Sequence, residues 1–206
     1  MLFVQPFFLF VLLPAALLLF YLSRRCAGAT AALVVIVVAS AIFYAPYGPL
    51  PAALLAGSLC LNLGFGRLLS GRGVGDPVFR KALLTTGLAL NFGALATFKY
   101  LDQVAALVVP SAGPLLAVAI PAGISFYTFH QVVFLIDAYH RKPEVVEFLD
   151  GGPGVGGTLT AGARYASFVA FFPQLVIGPI TYLKELAPQF LSPRFGRLGR
   201  VDLQVG

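Results

Sequence analysis

Apolar residues run through this chain in long blocks, separated by short clusters of Gly, Pro, Arg and Lys. A transmembrane helix needs about 20 mostly apolar residues. Blocks of that kind cover residues 3–22, 30–44, 50–69, 81–100, 120–139 and 165–182. A broken stretch over residues 104–118 carries Pro110, Gly113 and Pro114, and the link after Tyr44 carries Pro46, Gly48 and Pro49, a tight turn between two spans. The pattern predicts an all-α fold: a polytopic transmembrane helix bundle.

Composition agrees. The chain is 59% hydrophobic and 11% charged, whereas globular domains are about a quarter charged, so it lacks the polar residues to cover a water-facing surface. Its net charge is +6, but the basic residues sit between apolar blocks, where topology signals are written. They form no single face, and nucleic-acid binding is excluded as a reading. Cys26 and Cys60 show no metal-ligand or disulfide spacing. Cys60 falls inside an apolar block and is expected to be a buried, inert thiol. No metal site is predicted.

Charge also gives an orientation. Arg24 and Arg25 follow the first block, and no basic residue precedes it, which is the reverse of a secretory leader. Arg67, Arg72, Arg80 and Lys81 lie between the third and fourth blocks, and Arg141 and Lys142 follow residue 139. Basic and neutral loops therefore alternate, placing the N-terminus outside an inner (plasma) membrane in a multi-pass arrangement. The last block breaks the alternation, because a full crossing would put Lys184, Arg194, Arg197 and Arg200 outside. It also contains Pro173, Gln174, Gly178 and Pro179. Proline frees backbone groups, which in hydrocarbon must be satisfied by protein or by a cavity. A re-entrant, broken helix over residues 165–182 resolves both conflicts.

Residues 151–162 read GGPGVGGTLTAG. Gly152, Gly154 and Gly157 satisfy G-x-G-x-x-G, but no strand precedes them and no βαβ unit surrounds them. The segment is expected to be a flexible cytoplasmic loop.

Ionisable groups inside a membrane are costly and so are functional candidates. Lys99 and Asp102, three apart, are expected to pair at an interface. Asp137 is expected to pair with Arg141 at the membrane edge. His130, in mid-block, has the chemistry of a general base, but the sequence places no second His or carboxylate beside it. A hydrogen-bonded core histidine is the favoured reading, and His140 is read as structural. These residues alone make no active site.

Several stretches together resemble the membrane-bound O-acyltransferase family. IPAGISFYTFHQVVFLIDAYHRK, residues 120–142, is similar to its Pro-x-Gly-Ile-Ser-Phe turn followed by Thr-Phe and Asp-x-Tyr. FVAFFPQLVIGPITYLKELAPQF, residues 168–190, is similar to its Phe-Phe-Pro-Gln, Gly-Pro-Ile and Pro-Gln signature. LNLGFGRLL and LATFKYLD are fainter echoes. The likeness points to the bacterial branch of alginate O-acetylation and teichoic-acid D-alanine transfer.

The resemblance implies a funnelled helix bundle that passes an acyl group, acetyl in the first instance, from a cytoplasmic acyl-CoA or acyl-carrier thioester. The acceptor would be an extracytoplasmic polysaccharide or partner acetyltransferase. It further implies that residues 1–206 are the N-terminal part of a single membrane domain. The family's Trp-His segment and membrane histidine belong to its other half, and this chain has no Trp. No catalytic residue is assigned, His130 stands where the family usually has Gln, and the chain alone is expected to be an inactive fragment. Gln174, Thr181, Gly178, Pro179 and His130 are the candidates for a donor channel, the thioester being a substrate and no cofactor being bound. Arg141, Lys142 and Arg164 would attract an acidic carrier or coenzyme phosphates, although topology alone explains them. The competing classes are a transporter or channel subunit and a non-catalytic membrane assembly subunit.

Overall fold

The computed structural model describes residues 5–71, 73, 75–108, 120–176, 178 and 181–196, with side chains at 102, 103 and 105–108 left aside. Among the described residues there are helices and no strands. A π-helical turn, Phe8–Leu12, leads into α1 (Leu13–Cys26), followed by α2 (Ala29–Tyr44), α3 (Pro49–Ser70) and α4 (Pro77–Val108). Next come α5 (Ile124–Tyr139), α6 (Pro143–Leu149), α7 (Gly154–Val169), α8 (Phe172–Leu175) and α9 (Leu183–Leu191). Among the described residues three helices are long and apolar enough to cross a membrane: Phe8–Cys26, Ala29–Tyr47 and Pro49–Ser70. The bundle is the membrane-protein fold that the apolar blocks predict.

At one end of the bundle five arginines, Arg24, Arg67, Arg80, Arg141 and Arg164, each donate to a backbone carbonyl of another segment. Arg24 donates to the Phe195 carbonyl at 2.6 Å, Arg67 to Thr158 at 3.2 Å and Arg141 to Gly71 at 3.0 Å. Arg80 donates to the Tyr139 carbonyl, and Arg164 to those of Phe148 and Asp150 at 3.2 and 3.0 Å. Helix C-termini leave carbonyls without partners, and guanidinium donors satisfy them. At the opposite end the Tyr44 hydroxyl donates to the Ala122 carbonyl at 2.7 Å, which joins the end of α2 to the start of α5.

The segment α7–α8–α9 is a hairpin that enters and leaves by the arginine-rich end. Three contacts along α2 measure its depth. Thr160 meets Thr30 at 2.9 Å, the Ser167 hydroxyl donates to the Leu33 carbonyl at 3.4 Å, and the Phe172 N–H donates to Ser40 Oγ at 3.1 Å. Thr30 to Ser40 is a rise of about 15 Å, half of a hydrocarbon core about 30 Å thick. There the chain turns: Phe172 packs with Phe8 and Phe43, ring centroids 5.9 and 6.0 Å away. α9 then comes back against α6, with Phe190 on Phe148 at 5.8 Å, and Phe195 reaches Phe20 at 5.7 Å. The helix over residues 165–182 is thus broken, as its prolines predict, and the chain returns toward the arginine-rich end from which it came.

Several expectations need correction. Residues 154–162 are not a loop but the first half of α7. Gly157 is buried against the backbone of Gly151 and Gly152, where any side chain would collide; the close contact, with Thr30 and Arg67 bonding to the helix, outweighs the weak propensity of glycine. Cys60 is exposed on the outward face of α3, not buried in protein. Asp137 pairs with Lys142 at 2.6 Å. The reason is the end of α5: Arg141 takes φ 49°, and Lys142 N–H bonds back to the Asp137 carbonyl at 3.1 Å, which folds Lys142 over the acid. Lys99 donates to the Ser125 hydroxyl at 3.1 Å, while the Asp102 side chain lies outside the described residues. α4 continues through 104–108, and residues 109–119 lie outside the description.

Candidate functional site

Two polar clusters sit at mid-depth on adjacent residues of α5, His130 and Gln131. Successive helical residues point about 100° apart, so the two side chains face different neighbours.

His130 faces the hairpin. It is 3% exposed and packs edge-on against Phe168, centroids 5.6 Å apart. Its Nδ1 lies 2.8 Å from the Phe126 carbonyl, which can only accept, so Nδ1 carries the proton. Its Nε2 lies 3.3 Å from the Thr181 N–H, which can only donate, so Nε2 accepts. Those two backbone groups fix one neutral tautomer. The Gln174 amide completes the cluster: its Nε2 donates to Thr181 Oγ1 at 2.8 Å and lies 3.5 Å from His130 Nε2. Gly178 closes the turn against Gln174, since a Cβ there would lie 3.0 Å from Gln174 Cα and 3.1 Å from its carbonyl oxygen.

Of the five residues singled out in the sequence, the structure therefore brings His130, Gln174, Thr181 and Gly178 together where the hairpin turns back. Pro179 lies outside the described residues. α5 holds this cluster in place because it starts at Gly123, whose φ of 74° ends the preceding turn. A Cβ at Gly123 would meet the Leu175 carbonyl, so α8 rests directly on the α5 N-terminus. The chemistry available is hydrogen bonding by neutral groups in a dry setting. Both ring nitrogens of His130 are engaged by backbone groups.

Gln131 faces α3 and α4, where sequence reading missed its partners Ser58, Asn62 and Asn91. Asn91 Nδ2 donates to the Gly87 carbonyl at 2.8 Å and to Asn62 Oδ1 at 2.7 Å. Asn62 Nδ2 in turn donates to the Ser58 carbonyl and to Gln131 Oε1, both at 2.9 Å, and the Ser58 hydroxyl donates to the same Oε1 at 2.6 Å. Two backbone carbonyls thus set the polarity of the whole chain of amides. Its last atom, Gln131 Nε2, is buried without a partner among the described residues. The signal that would have found this cluster is one uncharged amide in each of three apolar blocks; attention to ionisable groups alone passes it by.

The basic residues considered for anion attraction are engaged elsewhere. Arg141 and Arg164 donate to backbone carbonyls, and Lys142 pairs with Asp137. That pairing holds the Lys142 ammonium above its ordinary pKa, chiefly through the hydrogen bond to Asp137.

Comparison with known proteins finds relatives among membrane enzymes of the cell envelope. The chain is 31% identical over 182 residues to the peptidoglycan O-acetyltransferase of Helicobacter pylori, a match covering 82% of this chain and 34% of that protein. It is 32% identical over 160 residues to the probable alginate O-acetylase AlgI of Pseudomonas putida, covering 74% of this chain and 30% of the relative. The AlgI of Pseudomonas aeruginosa is 30% identical over 160 residues, 74% of this chain and 28% of the relative. The chain therefore spans about a third of the length of these relatives. No family model and no solved structure matches it.

Proposed function

This chain belongs to the membrane-bound O-acyltransferase family, and we infer that it builds the donor side of an O-acetyl transfer site. The observation that carries this reading is the half-depth hairpin, whose return is lined by His130, Gln174 and Thr181. Broken backbone inside a membrane is tolerated where it is buried in protein or borders a cavity. A thioester arm entering from the arginine-rich, cytoplasmic end would find neutral hydrogen-bonding groups at mid-depth and little water. In the transfer, the bond from the acetyl carbon to sulfur breaks and a bond to an acceptor hydroxyl oxygen forms. The hydroxyl proton ends on the departing thiol. The acceptor would be an extracytoplasmic polysaccharide or a partner acetyltransferase. In this reading residues 1–206 act as one part of a single membrane domain in a plasma membrane, N-terminus outside.

The test is acetyl transfer from a labelled acetyl thioester by membranes carrying the longest product of the locus. Gln174→Leu, which leaves Thr181 without its amide donor, is expected to lower transfer about tenfold while the protein still accumulates. Unchanged transfer would remove the hairpin from the donor path. Orientation is read separately at Cys26, which is exposed at the end of α1: an impermeant maleimide should label it from the cytoplasmic side alone.

A further inference from the structure

The bundle is stepped at the end opposite the arginines. α2 and α5 have 16 residues each, a rise of about 24 Å against a hydrocarbon core about 30 Å thick. They meet at that far end, where Tyr44 bonds to the Ala122 carbonyl. α4, beside them, has 32 residues and continues past this level, with Tyr100, Leu101 and Val104 exposed. A helix shorter than the bilayer is accommodated when the lipid surface is drawn in or when flanking polar side chains reach for it.

Lys99 stands on this step, the charged side chain of the far end among the described residues. Its ammonium donates to Ser125 Oγ at 3.1 Å and lies 5.2 Å from the centre of the Tyr100 ring. Ser125 belongs to the first turn of α5, the positive end of that helix. No carboxylate pairs with Lys99 among the described residues. A charge at this depth calls for a partner. The ammonium can only donate, and Ser125, whose oxygen accepts from it, keeps a hydroxyl proton to give. A positive charge with donors to spare selects an anionic oxygen group; a neutral ester or alcohol would leave the charge uncompensated.

We propose that Lys99 and Ser125 hold one phosphate group, carried by a lipid of the far leaflet and drawn in to the level at which α2 and α5 end. Lipid is favoured over a soluble phosphate because the Tyr100 ring beside the ammonium is itself exposed on the side of the bundle. The site is separate from the hairpin and does not depend on the donor-path reading.

The probe is phosphatidylglycerol with a diazirine beside its headgroup, offered to the purified full chain in maltoside micelles, which contain no phosphate. A diacylglycerol with the same diazirine serves as the phosphate-free comparison. Phosphatidylglycerol is expected to label residues 95–101 and 122–129 about 10-fold more than the diacylglycerol, the worth of a charge-assisted hydrogen bond. Lys99→Met should bring it down to the diacylglycerol level, while Lys99→Arg, which keeps charge and donors, should retain most of it. Ser125→Ala should lower labelling about 3-fold. Lys81→Met, at the arginine-rich end, should leave these segments labelled as before. Wild-type labelling in Lys99→Met would overturn the proposal. Labelling that appears only after Asp102→Asn would overturn it as well, because the aspartate would then already fill the site. Inorganic phosphate should displace the probe far less well than unlabelled phosphatidylglycerol; equal displacement would make the occupant a soluble anion and remove the lipid. Because the readout needs no acetyl transfer, its failure is separable from failure of the donor-path reading.

Discussion

His130 and Gln131 are neighbours in sequence, yet the regions they serve differ in kind. On the hairpin side every polar valence of the imidazole is spent on backbone: the Phe126 carbonyl and the Thr181 N–H. On the α3–α4 side the amides satisfy one another and leave a donor over. The first cluster holds an irregular chain in a medium that offers it no water. The second joins helices already satisfied along their own axes, and the donor it leaves over, Gln131 Nε2, is buried. Polar groups inside a membrane thus divide into those that repair backbone and those that link side chains.

The contrast is sharpened first at Gly123, on which both clusters depend. Gly123→Ala combines a left-handed backbone position with a collision at the Leu175 carbonyl. It should cost about 2–4 kcal/mol in thermal unfolding of the purified protein.

Next, His130→Leu removes the acceptor for the Thr181 N–H and should cost about 1–3 kcal/mol. A new protease-sensitive point should open near residues 176–182. His130→Gln keeps a donor and an acceptor and should recover most of the loss; if Leu and Gln behave alike, the imidazole is not repairing backbone.

On the other side, Asn62→Leu and Asn91→Leu should each cost about 1 kcal/mol, and the double variant less than their sum. A double-mutant cycle should give a coupling of about 0.6–1.7 kcal/mol, the range for hydrogen bonds between membrane helices. Strict additivity would dissolve the second cluster as a unit.

The smallest effect belongs to Lys142, whose ammonium is exposed although it pairs with Asp137. Its pKa is raised in the folded protein, so whatever the pair contributes is present below the ordinary lysine value of 10.5 and lost only as pH climbs above it. Lys142→Ala should leave the unfolding midpoint unchanged within error between pH 6 and 9, at any salt concentration.

Much of the fold is legible in the apolar blocks. Residues 30–44 and 50–69 emerge as Ala29–Tyr44 and Pro49–Ser70, because Gly28 and Gly48 end the preceding turns with positive φ. The break within residues 165–182 is legible too, since Pro173 lies inside an apolar block. α7 was not, because its glycine-rich start is seated by the contact of Gly157 with Gly151 and Gly152, which composition does not record. Of the candidate site, Gln174 and Thr181 stand out as polar residues beside a break. Their convergence on His130 depends on Gly123 and Leu175 bringing α5 and α8 together, a contact between distant parts of the chain. The Asn62–Asn91 pair joins residues 29 apart that look incidental one at a time.

The hairpin also constrains how the molecule is made. A segment that enters hydrocarbon and returns would have no stable state of its own there, because among the described residues its Phe172 and Thr181 N–H groups find their partners on Ser40 and His130, in other helices. Helices α2 and α5 must already stand in the bilayer before residues 170–182 can leave the water. Synthesis delivers them in that order, N-terminal spans first. Biogenesis of this protein is therefore expected to have two stages, lateral release of the spans and then docking of the hairpin. A ribosome stalled just beyond Tyr182 should hold the spans inserted while the hairpin remains in the water.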